Sequence, residues 1–509
     1  MTELNGKNVL VLGLGSSGLA MARWCVRCGA EVTVADTRQN PPQLEALVRE
    51  LPTARFLCSN FDDALLAVAD FSAVFKSPGL TPASVEPLAR SDKKSFARIQ
   101  GELDLFCLAL NDLRNTRAYD PTVLAITGTN GKTTVTALTG QLVERAGKSV
   151  AVAGNIGPSL LDTLSGHLDS GELPSIWVIE LSSFQLDSVE GFEPAAAAVL
   201  NITQDHLDWH GSVSAYAAAK AKIFGAKTKM LLNRDDPLVM EMLPVARAAP
   251  AKGRLKDYKV PEFETFGADM PRRPGDFGLE EVNGMVWLVR AMQSENLQRK
   301  RNAEVEEIYI QRLLPADALR IRGRHNAVNA LAALSLATSA GCSIAPILFG
   351  LREYRGEPHR VEPVATINEV EFFDDSKGTN VGATVAALHG LGSERRLVVI
   401  LGGDGKGQDF SPLLEPVRRY ARAVVLIGRD APLIKAVLST AGVPLVDAAT
   451  MALAVAAASQ LAHCGDAVLL SPACASFDMF ENYPHRAAVF RDAVTALGSA
   501  AELATMGHP

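Results

Sequence analysis

Eight residues, Thr127 to Thr134 (TGTNGKTT), combine two glycines, a lysine and several hydroxyls at a spacing suited to gripping a phosphate. Gly128 and Gly131 let the backbone turn with its N–H groups aimed inward, Lys132 adds a cation, and a helix starting here favours anions at its N-terminus. Thr133 offers a hydroxyl to Mg2+. The usual phosphate-loop pattern has a glycine five residues before Gly131, where Ile126 stands, so this is a shortened variant. A structural turn is the bland alternative, weakened by the strand-forming run Val123 to Ile126 before it and the helix-compatible stretch after it.

A second turn of this kind, GLGSSG at Gly13 to Gly18, follows another apolar run and precedes Asp36 at the end of the next. That is a dinucleotide fingerprint, and on these residues NAD or FAD, another phosphate ligand and a plain turn all stay open. A ligase could use such a turn for the pyrophosphate of a nucleotide-linked substrate. Lys76-Ser77-Pro78-Gly79 could face the same crevice, although by itself it reads as a turn.

Further polar groups stand directly after apolar runs, where open α/β sheets bind ligands. Glu180, after IWVI, suits Mg2+. Asn155 in AGNIG reads equally as a ligand amide or a turn residue. His206 and His210 have helical spacing, but nothing nearby completes a zinc set. Lys220, in YAAAKAKIF, reads from periodicity as an ordinary helix lysine. The last third of the chain adds DDSKGTN (Asp374 to Asn380), LGGDGKGQDF (Leu401 to Phe410) and SPACASFDMF (Ser471 to Phe480), a set of acids, lysines and hydroxyls suited to ATP and a small anionic amine. His359 and Arg360 fall at a candidate hinge, where the arginine would reach phosphates on closure or form a surface ion pair.

These groups need strand ends to hold them, and strand-like and helix-like runs do alternate along the chain. The fold class is α/β, with a Rossmann-like N-terminal domain, a central P-loop ATPase-like domain on a parallel sheet and a Rossmann-like C-terminal domain. At 509 residues and 48% hydrophobic the chain exceeds one core, and polar stretches near Gly101 and Gly356 divide it into 1–100, 101–356 and 357–509. The segment 254–315 breaks the alternation and reads as a peripheral elaboration. Its Arg299-Lys300-Arg301 run is followed by acids and has no interleaved aromatics, so a solvated surface is expected rather than a nucleic-acid patch. A net charge of -7 offers no general attraction to nucleic acid. No apolar run resembles a signal peptide or membrane span, which predicts a cytoplasmic protein. The 7 cysteines read as reduced thiols, with the Cys25/Cys28 pair taken as core packing.

In order and spacing, TGTNGKTT, ELSSFQL, NITQDHLD, GRHNAVNALAA, PHR, DDSKGTN, LGGDGKG and SPACASFDMF resemble the Mur ligase family over essentially the whole chain. The last motifs are similar to its D-glutamate-adding branch. The resemblance implies that ATP phosphorylates the carboxylate of UDP-N-acetylmuramoyl-L-alanine and that the D-glutamate amine then displaces phosphate. It implies an ATP set of Gly128, Thr129, Asn130, Gly131, Lys132, Thr133, Thr134, Asn326, Asn329, Arg360, Asp375 and Lys377. Two Mg2+ ions would be served by Thr133, Glu180, His206 and Lys220, the last as a CO2-derived carbamate, which reverses the bland reading of that lysine. The UDP-substrate set is Ser16, Ser17, Thr37, Arg38, Ser77, Gly79, Asn155 and His206. The D-glutamate set is Thr379, Lys406, Ser476, Phe477 and Tyr483, where a phenylalanine is more familiar at 483 and a threonine at Ser17. A monomer is the family expectation.

Overall fold

Three sheets with helices on their faces carry the chain in the computed structural model, which describes residues 4–92, 96–244, 261–293, 308–392 and 395–506. The first contains β1 (Asn8–Leu12), β2 (Glu31–Asp36), β3 (Arg55–Cys58), β4 (Ala73–Lys76) and β5 (Ile99–Gln100), all parallel in the order β3-β2-β1-β4-β5. Val9 to Leu12 are completely buried, as expected of a parallel strand covered on both faces. Cys25 and Cys28 lie in the core beneath this sheet, with burial pushing both thiols up, so the CxxC pair is packing.

The central sheet is β6 (Thr122–Thr127), β7 (Val150–Gly154), β8 (Ile176–Glu180), β9 (Ala196–Val199), β10 (Lys229–Asn233), β11 (Phe263–Phe266), β12 (Phe277–Val282), β13 (Met285–Gln293) and β14 (Ile308–Pro315). Its order is β14-β13-β12-β11-β10-β9-β6-β8-β7. Pairing is parallel from β7 to β12 and antiparallel across β12-β13-β14, so the sheet is mixed rather than purely parallel. The described parts of 254–315 supply the added strands and prolong this sheet; Arg299 to Arg301 lie outside the described residues.

The third sheet comprises β15 (Glu362–Ile367), β16 (Val370–Asp374), β17 (Leu397–Gly402), β18 (Ala421–Ile427), β19 (Leu445–Asp447) and β20 (Ala467–Leu470). Its order is β15-β16-β20-β17-β18-β19, parallel except for the edge pair β15/β16. The first two units share a core, in which Phe106 of helix Glu102–Arg117 meets Trp177 of β8 edge-on with ring centroids 5.0 Å apart. Arg23 also pairs with Asp162 across them at 3.0 Å. Among the described residues, no helix is long and apolar enough to cross a membrane.

Helix Lys132–Arg145 starts at the carboxyl end of β6, between β8 and β9. Val135, Leu138 and Leu142 form its completely buried stripe, in one core with Leu331 and Leu334 of helix Arg324–Ser339. That packing fixes where the helix begins, and so where the loop before it must turn.

Candidate functional site

Thr127 to Thr134 turns as its composition demands. Gly131 is the helix N-cap with φ +84°, and a Cβ there would lie 2.7 Å from Asn329 Oδ1. Gly128 has φ +155°, with space for a Cβ closed to 2.9 Å by Leu200. The loop is held from the end of β9: Asn130 N donates to Asn201 Oδ1 (2.8 Å), Asn201 Nδ2 to Asn130 O (3.0 Å) and Thr203 N to Thr129 Oγ1 (2.9 Å). Lys132 Nζ donates to Gly128 O (2.9 Å) and Thr129 O (2.7 Å), and burial lowers its pKa despite the Glu180 charge.

Glu180 ends β8 and is 1% exposed. Its Oε1 accepts from Asn155 Nδ2 at 3.1 Å, whereas Oε2 is buried without a hydrogen-bond partner. An orphaned carboxylate oxygen beside the loop is what a bound cation would satisfy, so the residues present fit Mg2+. Thr133 Oγ1 accepts from Arg360 Nη2 at 2.6 Å and keeps a second lone pair. His206 has φ +53° and its ring meets Phe184 at 4.7 Å; burial lowers its pKa. His210 Nε2 instead pairs with Ser183 Oγ at 2.9 Å, so the two histidines do not act as one ligand pair.

Lys220 is 1% exposed, which the helix-surface reading does not allow. Its Nζ contacts Gly128 O (2.8 Å) and Thr127 Oγ1 (3.3 Å), and no carboxylate lies within ion-pair distance among the described residues. Burial, then the Lys132 charge, holds its pKa well below the ordinary lysine value.

The third unit comes to this loop from the other side. Arg360 reaches Thr133, and its position is set by His359 (φ +65°), whose Nδ1 lies 2.7 Å from Asp374 Oδ2. Asn130, Gly131, Asn326, Asn329, Arg360, Asp375 and Lys377 line one cleft. Lys377 is pushed down to about 8 by burial and the Arg360 charge. Asp375 accepts from Ser471 Oγ at 2.6 Å, yet burial raises its carboxyl from an ordinary 3.8 to about 7. The fold therefore prefers the protonated acid, an advantage complete below about pH 4 and lost as pH rises through 7. Asp375→Asn should unfold at increasingly higher temperature relative to the parent as pH is raised over that interval. Thermal melts showing a pH-independent difference would contradict this.

In the D-glutamate set, Lys406 Nζ sits 5.9 Å from the Phe477 ring, which is 68% exposed, while Ser476 is buried at the base of the same turn. Tyr483 lies with the nucleotide-side group, its ring 5.5 Å from Lys377 Nζ, and Thr379 N bonds to Lys377 O (2.9 Å). No hydrogen bond joins these two groups among the described residues. At the first sheet, Ser77 Oγ donates to Gly13 O (2.9 Å), Ser16 is exposed, Thr37 and Arg38 follow β2, and Gly79 has open space around it. Asp36 accepts from Leu14 N (2.7 Å) and from Arg38 Nε and Nη2 (both 2.8 Å), with Arg38 holding its carboxyl at about 2. The acid that would take a dinucleotide ribose is thus engaged in fixing the turn itself.

Several residues of the site carry no role that their motif reveals. Asn201, Thr203 and Asp205 stand inside NITQDHLD, but their support of the loop arises through the fold and not through spacing. Half-buried His325 lines the cleft with its Nδ1 shielded and unpartnered, and desolvation holds its pKa down to about 4; like Asn326, it is legible only through the GRHNAVNALAA resemblance.

A phosphate loop faced by strand ends of a second α/β unit, and joined to a third that bears its own glycine turn, defines a three-domain phosphate-handling protein. The chain belongs to the Mur ligase family: residues 126–260 match the Mur ligase middle domain, 359–474 the Mur ligase glutamate ligase domain, and 7–95 the MurD-like N-terminal domain. It is 66% identical over 507 residues to the UDP-N-acetylmuramoylalanine--D-glutamate ligase of Albidiferax ferrireducens, covering 100% of this chain and 99% of that one. It is 56% identical to the enzyme of the same name from Burkholderia multivorans, covering 96% and 97%. Among solved structures, the UDP-N-acetylmuramate-alanine ligase of Thermotoga maritima superimposes with a TM-score of 0.54 at 19% identity, covering 96% of this chain and 99% of the other, a likeness of fold.

Proposed function

We propose that this chain joins D-glutamate to UDP-N-acetylmuramoyl-L-alanine with hydrolysis of ATP to ADP and phosphate, a step of peptidoglycan precursor synthesis. The observation that carries the reading is the convergence of Lys132, Arg360 and Lys377 with Glu180 and Asp375 around one phosphate loop, at the junction of two units. Their charges are only partly answered within the protein, as an anionic ligand requires. The 66% identical relative bears the name of this activity.

In this reading the loop amides and Lys132 cradle the β- and γ-phosphates of ATP, while Asn326 and Asn329 bound the nucleotide cleft. An acceptor carboxylate oxygen attacks the γ-phosphorus, the bond to ADP breaks, and an acyl phosphate forms. The unprotonated amine of D-glutamate adds to that carbonyl carbon; the tetrahedral intermediate loses phosphate and a proton to leave the amide. Lys132, Arg360 and Lys377 offset charge as the phosphoryl group moves. Mg2+ held by Glu180, Thr133 and His206 would supply further charge neutralisation. Lys220, where burial and the Lys132 charge favour the unprotonated amine, suits addition to CO2 with loss of a proton, giving a carbamate that would serve a second ion. Ser16, Ser17, Thr37, Arg38, Ser77 and Gly79 take the UDP end, Asn155 the span towards the reacting centre, and Thr379, Lys406 and Ser476 the D-glutamate carboxylates, with Phe477 and Tyr483 in their surroundings.

In this reading the chain acts as a monomer, the expectation for its family, and the nucleotide-linked substrate points to the cytoplasm. Phosphate release should require ATP, the UDP-linked acceptor and D-glutamate together. Turnover with L-lysine, meso-diaminopimelate or L-alanine in place of D-glutamate would refute the assignment of the amino acid.

A further inference from the structure

The DDSKGTN loop is knitted into its own unit. Ser376 N and Oγ donate to Asp374 Oδ1 (2.9 and 2.6 Å), Gly378 N bonds to Asp375 O (2.8 Å), and Ala473 N bonds to Gly378 O (3.0 Å). The phosphate loop is equally fixed on the other side by the two bonds between Asn201 and the Asn130 backbone. Two stiff loops therefore face each other, and Asn380 is where they join. It is 7% exposed. Its Nδ2 donates to Asn130 Oδ1 at 3.2 Å, and its Oδ1 accepts from Asn130 Nδ2 at 3.4 Å. Nδ2 also reaches Asp205 Oδ2 at 3.5 Å, beside His206.

The same side chain caps the helix Val381–Gly392, with Oδ1 accepting from Ala383 N at 2.8 Å. One amide thus ties a helix start of the third unit to the phosphate loop and to the Asp205–His206 turn. The approach is close: a Cβ at Gly382 would stand 2.7 Å from Thr203 Oγ1 and 3.2 Å from Asn130 Nδ2.

We propose that Asn380 is a positioning residue, a reciprocal amide clasp with Asn130 that sets the D-glutamate-side loop in register on the phosphate loop so that the amine reaches the acyl phosphate. This rests on the ligase reading. Asn130 belongs to the nucleotide-side set, whereas Asn380 belongs to neither ligand set; it acts through the relative placement of the two loops. A displacement of about 1 Å between reacting groups can cost about a hundredfold in rate, so a clasp of two neutral bonds can control turnover.

Asn380→Ser separates the clasp from the cap, because a serine hydroxyl can cap the helix but is too short to pair with Asn130. The expected result is a melting temperature within about 2 °C of the parent, ADP affinity within about threefold, and kcat for D-glutamate-dependent phosphate release lowered by about tenfold or more. Combining it with Asn130→Ala should cost no more than Asn130→Ala alone, since both remove one interaction. Gly382→Ala should lower kcat in the same way, because its methyl would press on Thr203 and Asn130 and part the two loops. Full kcat in Asn380→Ser, or losses in the double variant that equal the product of the singles, overturns the clasp while leaving the ligase reading intact. A parent protein with no D-glutamate-dependent turnover overturns both.

Discussion

Lys132→Ala should lower the rate of ATP-dependent phosphate release by about 10²- to 10³-fold, the usual cost of removing one preorganised charge from a developing transition state. The ammonium is carried on the first helical residue and bonds to Gly128 O and Thr129 O, so its place is set by the loop backbone and not by a mobile side chain alone. Among the described residues its hydrogen bonds go to carbonyl oxygens, and the cation stands next to Glu180 and close to Arg360. Arginine should not restore activity, because its planar fork is longer and cannot act as a compact point charge inside this turn. The fall should appear mainly in kcat, with ADP binding by calorimetry weakened far less, since the loop amides still cradle the phosphates. A variant within tenfold of the parent would mean that phosphoryl transfer takes place somewhere other than this loop.

How far the site could be read from sequence depends on which physical signal each residue leaves. Thr127 to Thr134 was legible because a turn with positive φ leaves glycines at Gly128 and Gly131, and the apolar run before it marks a strand. Glu180 was legible by its place after IWVI, which became the end of β8. Asp36 is legible as an acid at a strand end, but not that Leu14 N engages it, because a contact 22 residues away has no spacing rule. The segment 254–315 broke the alternation since β12, β13 and β14 are antiparallel neighbours without intervening helices, and that is also why its strands went unread. Asn380 stood inside a quoted motif, yet its partner Asn130 lies 250 residues earlier, so their pairing exists only in the fold.

Lys220 shows the sharpest gap between periodicity and fold, and it carries the second large expected effect. YAAAKAKIF presents the lysine as a solvent-side residue, but helix Val213–Ala221 places it beneath the phosphate loop, against Gly128 O and Thr127 Oγ1 and 4.6 Å from the Tyr216 ring. Keeping a lysine there without a carboxylate partner costs stability unless the amine is neutral or modified. A neutral amine is the form that adds to CO2, and the product would be an anion beside Lys132 and His206. Lys220→Ala should therefore lose activity by about 10²-fold or more, as expected for removal of a group that organises charge at the transferring phosphate. Acetate or propionate should recover part of it by occupying the vacated space with a carboxylate, whereas chloride at equal ionic strength should not. Removing bicarbonate from the parent protein should lower activity reversibly, and intact mass at neutral pH should show the added carbon dioxide, lost on acidification. If Lys220→Ala keeps full activity, or loses it with no response to carboxylates, the lysine serves as a buried amine and not as a carbamate.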